Sequence, residues 1–127
     1  YAKIPGYYHP LVVPKAIEIG SKIQENFAKA YKRGVKIAFG TDAGVFPHGE
    51  NAREFGYMVE GGMPAIEALL CAMQVNADIL GYGDKIGSIE AGKLADIVAV
   101  NEDPIKNIKT MEKVTFVMKD GVVYKNE

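Results

Sequence analysis

A carboxylate at the end of an apolar run is the feature of this sequence best suited to chemistry. Residues 35–39 (VKIAF) are mostly apolar and start with a β-branched valine, which predicts a buried strand of the parallel type. The run stops at Gly40, so Thr41 and Asp42 follow the carboxyl end of the strand. Enzymes with parallel sheets carry their reactive groups at that end. Asp42 is therefore a functional candidate by position, and the competing interpretation is an aspartate that only forms a turn.

The other candidates lie in loops on either side of this strand. His48 occurs in a Pro-His-Gly turn and is either an exposed loop histidine or a substrate contact. Asn51, with Glu54 three residues later, resembles a capping box and predicts the start of a helix. His9 lies among tyrosines and prolines, and we expect it to be a surface loop histidine. The sequence contains only these two histidines and no His-x-His pair.

Proline and glycine mark the elements that must position these residues. Pro14 opens an amphipathic helix that Gly34 ends, with Ile17, Ile23, Phe27, Ala30 and Tyr31 on its apolar face. A second helix runs from Asn51 to the glycine pair 61–62, and a third from Pro64 to Gly81 with a break predicted near 74–76. Phe55, Met58 and Val59 of the second helix and Ile66, Leu69, Leu70, Met73 and Ala77 of the third are predicted to face inward.

The pattern changes near residue 82, where short β-type segments replace the helices. These segments are 86–89, 95–101, 114–119 and 122–125, and Asp120-Gly121 between the last two predicts a two-residue hairpin. Lys93 and Asp96 are interpreted as structural, with Asp96 satisfying backbone groups where a strand begins. Cys71, in an apolar helical pattern, is expected in the core, as are Met58, Met63 and Met73.

Composition excludes several classes of function. The 127 residues are 48% apolar and carry a net charge of −1, which gives no electrostatic basis for binding nucleic acid or an anionic membrane. No apolar run approaches the ~20 residues of a membrane span. The sequence starts within a loop-like segment without a starting methionine, so we expect it to be a piece of a longer chain. A cytoplasmic location is expected, with a secreted or periplasmic one as the alternative.

Three blocks of sequence carry a resemblance to a known family. They are GVKIAFGTDAG at 34–44, PHGENAREFGYMVEGGMPAIEAL at 47–69 and IGSIEAGKLADIVAVNEDP at 86–104. Together they resemble the C-terminal third of the amidohydrolase superfamily, in the branch of Xaa-Pro dipeptidase-like, arginine or lysine carboxypeptidase-like and imidazolonepropionase-related enzymes. The resemblance implies an α/β fold, with residues 1–81 as helix 7, strand 8 and helix 8 of a (β/α)₈ barrel. It implies that residues 82–127 are strands of the small β-sandwich domain beside it.

The resemblance also implies a metal-dependent hydrolysis of C–N bonds. Such enzymes use one or two divalent ions, usually zinc, and of their ligands only the aspartate after strand 8 matches here, as Asp42. That residue would be both a metal ligand and the general acid/base. A catalytic zinc needs three protein ligands, so we expect these 127 residues to be inactive by themselves.

The substrate and partners follow as expectations. We hypothesise that His48 and the helix start at Asn51 bind a substrate carboxylate, which favours peptide-like substrates over cyclic amides such as imidazolonepropionate. The alternative from another class is a binding or structural module that has lost its metal ligands. Because a piece of a barrel exposes a strand edge, we expect association with the upstream part of the same barrel or formation of a homo-oligomer.

Overall fold

The helices occupy the first two thirds of the chain. A computed structural model describes residues 1–44 and 46–127. Helix α1 spans Val13–Lys32, α2 spans Arg53–Glu60 and α3 spans Ala65–Leu70; a π-helical turn, Cys71–Val75, joins α3 to α4, Asn76–Ile79. The irregular turn confirms the predicted break in the third helix, although it begins earlier than residues 74–76. None of the described helices is long and apolar enough to cross a membrane.

Glycines end the helices as predicted. Gly34 has φ of +73°, a value that glycine adopts without the steric cost of a Cβ atom. Its N–H donates to the carbonyl oxygen of Tyr31 at 2.9 Å, and the N–H of Val35 donates to that of Ala30 at 3.1 Å. These two bonds form a Schellman motif, which satisfies carbonyl groups left without partners at the end of α1.

The helices pack around one apolar cluster. Phe55 and Met58 of α2 and Leu69 of α3 are buried, and the rings of Phe39 and Phe55 lie with their centroids 4.4 Å apart. The whole buried cluster consists of Phe55, Met58, Met63, Ala68, Leu69, Cys71 and Ile108. Burial of Cys71, Met58 and Met63 confirms the predictions for these residues, and burial raises the pKa of the Cys71 thiol.

Several apolar residues predicted to face inward are exposed. Ile17 and Ile23 of α1 are 50% and 61% exposed, and Ile66 and Met73 are each 43% exposed. Only the C-terminal half of α1 reaches the core, through Phe27 and Tyr31. The apolar face of α1 is therefore longer than the part of the core that the described residues build against it.

The segment 35–40 differs from the predicted buried strand. It forms no β-ladder with any described residue, and Val35 is 54% exposed. Ile37 and Phe39 are half-buried while Lys36 and Ala38 are exposed, an alternation typical of strand geometry with one packed face. Within the described residues the segment is thus packed on one face only, and burial of its other face stays a prediction.

The last third of the chain forms a three-stranded antiparallel sheet. Strands β1 (Ile97–Ala99), β2 (Phe116–Lys119) and β3 (Val122–Asn126) lie in the order β1-β2-β3, with a register shift at Val117/Met118. Asp120 and Gly121 both have positive φ, +49° and +76°, which confirms the two-residue hairpin. Residues 86–89 form turns instead of the predicted β segment.

A short 3₁₀ helix, Ile108–Glu112, connects the sheet to the helices. It packs against α2 and places Ile108 in the buried cluster. Glu112 also forms an ion pair with Arg53 at the start of α2, with Glu112 Oε2 3.8 Å from Arg53 Nε. The residues after 82 therefore share a core with the residues before it.

Asp96 fastens the hairpin to the rest of the sheet. Its carboxylate accepts hydrogen bonds from Lys119 Nζ at 2.6 Å and from the backbone N–H of Asp120 at 2.8 Å. These bonds confirm that Asp96 satisfies a backbone group, and the bond from Lys119 together with that from Asp120 lowers the pKa of the carboxyl group.

Replacing Asp96 by asparagine tests how much the ionised carboxylate stabilises the fold. A lowered pKa in the folded state means that the carboxylate stabilises the fold above the ordinary pKa of about 4 and loses that effect as the pH falls through its own pKa. Asp96→Asn should therefore lower Tm at pH 7. The difference in Tm between this variant and the unsubstituted chain should shrink as the pH falls. Thermal unfolding by circular dichroism measures this, with Glu25→Gln as a control because Glu25 and Lys29 form an exposed pair 3.8 Å apart. A Tm difference independent of pH would contradict the assignment.

Two glycines with the same backbone conformation differ in how closely other atoms approach them, and substitution of each tests that difference. Gly87 (φ +92°) and Gly92 (φ +94°) would both be strained by a side chain, but only at Gly87 would a Cβ meet other atoms, Ala77 Cβ at 2.7 Å and the carbonyl oxygen of Met73 at 3.1 Å. Gly87→Ala should lower the free energy of unfolding by about 1–3 kcal/mol more than Gly92→Ala does. Urea titration of both variants gives the comparison. Equal losses would show that Gly87 does not approach Ala77 and the Met73 carbonyl group this closely.

Candidate functional site

Asp42 lies exposed at the end of the segment 35–40. Its φ is +45°, a left-handed value that is uncommon outside glycine and that aspartate tolerates better than most residues. Among the described residues its carboxylate has no hydrogen bond or ion pair, so it is free to interact with a substrate or ion. The described residues therefore give this carboxylate no structural contact.

The loop after Asp42 is held by Asn51. The Asn51 side chain donates to Thr41 Oγ1 at 2.8 Å, and its Oδ1 accepts from the N–H of Gly49 at 3.2 Å. One side chain thus joins the residue before Asp42 to the residue after His48. The exposed imidazole of His48 is carried by this closed loop.

The predicted capping role of Asn51 is wrong. Helix α2 starts at Arg53 with Ala52 as its N-cap, and its first turn has no side-chain cap. The N–H groups of Arg53, Glu54 and Phe55 donate to carbonyl groups three residues earlier, those of Glu50, Asn51 and Ala52. Because these donors are already used, the helix start does not offer the free N–H groups that were expected to receive a substrate carboxylate. The Asn51 side chain forms loop contacts instead of the cap.

A cavity of about 180 Å³ adjoins Thr41 on the side of α2. Glu54 lines it, and burial raises the pKa of the Glu54 carboxyl group, whose side chain has no partner among the residues described. The other lining residues are Tyr1, Phe46, Glu50, Asn51, Arg53 and Tyr57. Asn51 is thus brought to this cavity, whereas Asp42 and His48 are not among its lining residues. Sequence reasoning missed Glu54 as a cavity residue because its spacing from Asn51 suggested a cap.

Among the residues that the structure describes, the remaining histidine makes a local contact. His9 is exposed, and its Nδ1 accepts from the N–H of Leu11 at 3.3 Å. This agrees with the expectation of a surface loop histidine.

The residues described here do not form a complete metal site. Residues 1–44 and 46–127 contain no group of three histidine, cysteine, aspartate or glutamate side chains close enough to hold an ion. A catalytic zinc takes three protein ligands, so the single carboxylate of Asp42 does not fit such an ion without further residues.

The chain is similar to proteins of known activity. Its backbone superposes on a Xaa-Pro dipeptidase with methionine bound in its active site, with a TM-score of 0.90 and 51% identity over 98% of this chain and 31% of that one. A prolidase in complex with N-methylphosphonate-L-proline gives a TM-score of 0.83 at 28% identity, over 94% of this chain and 30% of that one.

A third similar protein is the ochratoxinase of Aspergillus niger. Its sequence is 37% identical over an alignment of 114 positions, which covers 81% of this chain and 23% of that protein. Its crystal structure gives a TM-score of 0.74 at 31% identity, over 93% of this chain and 28% of that one. The chain therefore spans about a quarter to a third of the length of these proteins. Residues 2–124 match the amidohydrolase family. With nearly every residue inside that match, the chain belongs to the amidohydrolase family of hydrolases.

Proposed function

We propose that this chain is the C-terminal part of a hydrolase that cleaves the C–N bond of small peptide-like substrates with a free carboxylate. The observation that carries the proposal is the superposition, at 51% identity, on a dipeptidase that holds methionine in its active site. The aspartate after segment 35–40, free of described partners, supports it. The likeness to a prolidase bound to a proline derivative favours the same substrate class.

Asp42 is proposed as the group that moves the proton. Its carboxylate accepts a proton from the water whose oxygen attacks the carbonyl carbon, and then gives it to the leaving nitrogen as the C–N bond breaks. Amidohydrolases generally use divalent metal ions. Asp42 would supply one ligand of such a site, and zinc would require further ligands from residues outside this chain.

The longer protein is also the proposed partner of the exposed apolar surface. We assign residues 1–81 to the end of a (β/α)₈ barrel and residues 82–127 to strands of the flanking β-sandwich. Exposed Ile17, Ile23 and Val35 would then pack against other parts of that barrel. Since relatives are about three times as long, an upstream segment of the same protein is favoured over a second copy of this chain.

Replacing Asp42 tests the proposed chemistry. In the complete protein that contains this chain, Asp42→Asn should lower kcat for Xaa-Pro dipeptides by about 10²- to 10⁴-fold, because the amide cannot accept the proton. Release of proline measures the rate. Asp120→Asn is the matched control, because Asp120 has nearly the same φ, +49° against +45°, but lies in the hairpin. An Asp42→Asn variant with full activity would overturn the assignment.

His48 is proposed to bind the substrate carboxylate, with Asn51 holding the loop that carries it. His48→Ala should raise KM for dipeptides with a free carboxylate and leave KM unchanged for the same dipeptides amidated at the C-terminus. The control is His9→Ala, which removes the other histidine from an exposed loop. If His48→Ala leaves KM unchanged for both kinds of substrate, the carboxylate is bound elsewhere.

A further inference from the structure

The side chain of Asn76 makes two hydrogen bonds to the backbone of one residue, Phe39. Its Oδ1 accepts from the N–H of Phe39 at 3.0 Å, and its Nδ2 donates to the carbonyl oxygen of Phe39 at 2.8 Å. A carboxamide offers a donor and an acceptor side by side, as a peptide group of a neighbouring strand does. Asn76 thus supplies to Phe39 the two contacts that a β-ladder would otherwise supply.

The π-helical turn accounts for the position of Asn76. This turn, Cys71–Val75, ends directly before Asn76, and the carbonyl oxygen of Cys71 lies 3.5 Å from the same Phe39 N–H. A π-helical turn changes which residues of the following helix face a given side and leaves carbonyl groups available for other donors. Both effects direct the helix backbone and the Asn76 carboxamide toward Phe39.

Phe39 precedes Asp42 by only three residues. The intervening Thr41 is held by Asn51, and the ring of Phe39 packs on Phe55. We infer that Asn76 is a positioning residue: by fixing the backbone of Phe39 it sets where Asp42 stands at the end of the segment. This inference rests on the proposed proton-transfer role of Asp42.

The kinetic test uses the complete protein and Asn76→Ala. Loss of an anchor three residues from the carboxylate should lower kcat by about 10- to 100-fold, as removal of groups that orient reactive residues does, while KM stays unchanged because Asn76 is not proposed to touch substrate. Gln74→Ala is the matched control, since Gln74 is exposed in the same π-helical turn and its side chain has no partner among the described residues. Rates are taken well below Tm and are corrected for the folded fraction.

Two further measurements keep the inference open to contradiction if Asn76→Ala is unstable. Hydrogen exchange of the Phe39 amide, followed by NMR, should be faster in Asn76→Ala than in Gln74→Ala. Asn76→Asp should recover kcat relative to the unsubstituted enzyme as the pH falls toward about 4, because the protonated carboxyl group can again both donate and accept. A change confined to Tm, with kcat and Phe39 exchange unaltered, would overturn the inference.

The outcomes separate this inference from the proposed function. If Asp42→Asn abolishes turnover but Asn76→Ala leaves kcat unchanged, Asp42 retains its role and Asn76 loses the one inferred for it. If Asp42→Asn is fully active, the proton-transfer role fails, and the positioning role fails with it. If Asp42→Asn abolishes turnover, and Asn76→Ala shows faster exchange of the Phe39 amide and a lower kcat at constant KM, the role of Asp42 and the positioning role of Asn76 are both supported.

Discussion

The structure around Asp42 depends on how the backbone of residues 35–40 satisfies its hydrogen bonds. Buried or half-buried N–H and C=O groups need partners, and no described strand pairs with this segment. The carboxamide of Asn76 meets this requirement at Phe39, and the side chain of Asn51 donates a hydrogen bond to Thr41 Oγ1. Two amide side chains from separate parts of the chain therefore hold the stretch that carries the candidate carboxylate.

Features set by local chemistry could be predicted from the sequence. Gly34 and Gly121 occupy left-handed conformations that few other residues accept, so their positions indicated where a helix ends and where a hairpin turns. Pro14 likewise lies in the first turn of α1. Family membership could be recognised from three blocks of sequence taken together, at 34–44, 47–69 and 86–104, and the family match over residues 2–124 confirms it.

Features set by contacts between distant residues could not be predicted in this way. Asn51 and Glu54 have the spacing of a capping box, yet the Asn51 side chain bonds to Thr41, ten residues away, in preference to the helix start. Ile17 and Ile23 have helical apolar spacing, but spacing does not reveal how far the core extends along α1. Asp42 could be named as a candidate because its signal is local. The contact of Asn76 could not be predicted, because its partner Phe39 lies 37 residues earlier.

The buried apolar cluster links the helices to the residues after 82, and it also contacts the segment that precedes Asp42. Ile108 from the loop between β1 and β2 is buried with Phe55 of α2, and Phe55 in turn packs on Phe39. The segment 35–40 is therefore also linked, through Phe55, to residues that follow the helices in sequence. A sequence boundary near 82 marks a change from helices to strands, but the packing crosses it. The stretch that precedes Asp42 thus makes three sets of contacts: the Asn76 carboxamide at Phe39, the Asn51 hydrogen bond at Thr41 and a core that includes the connection between two strands.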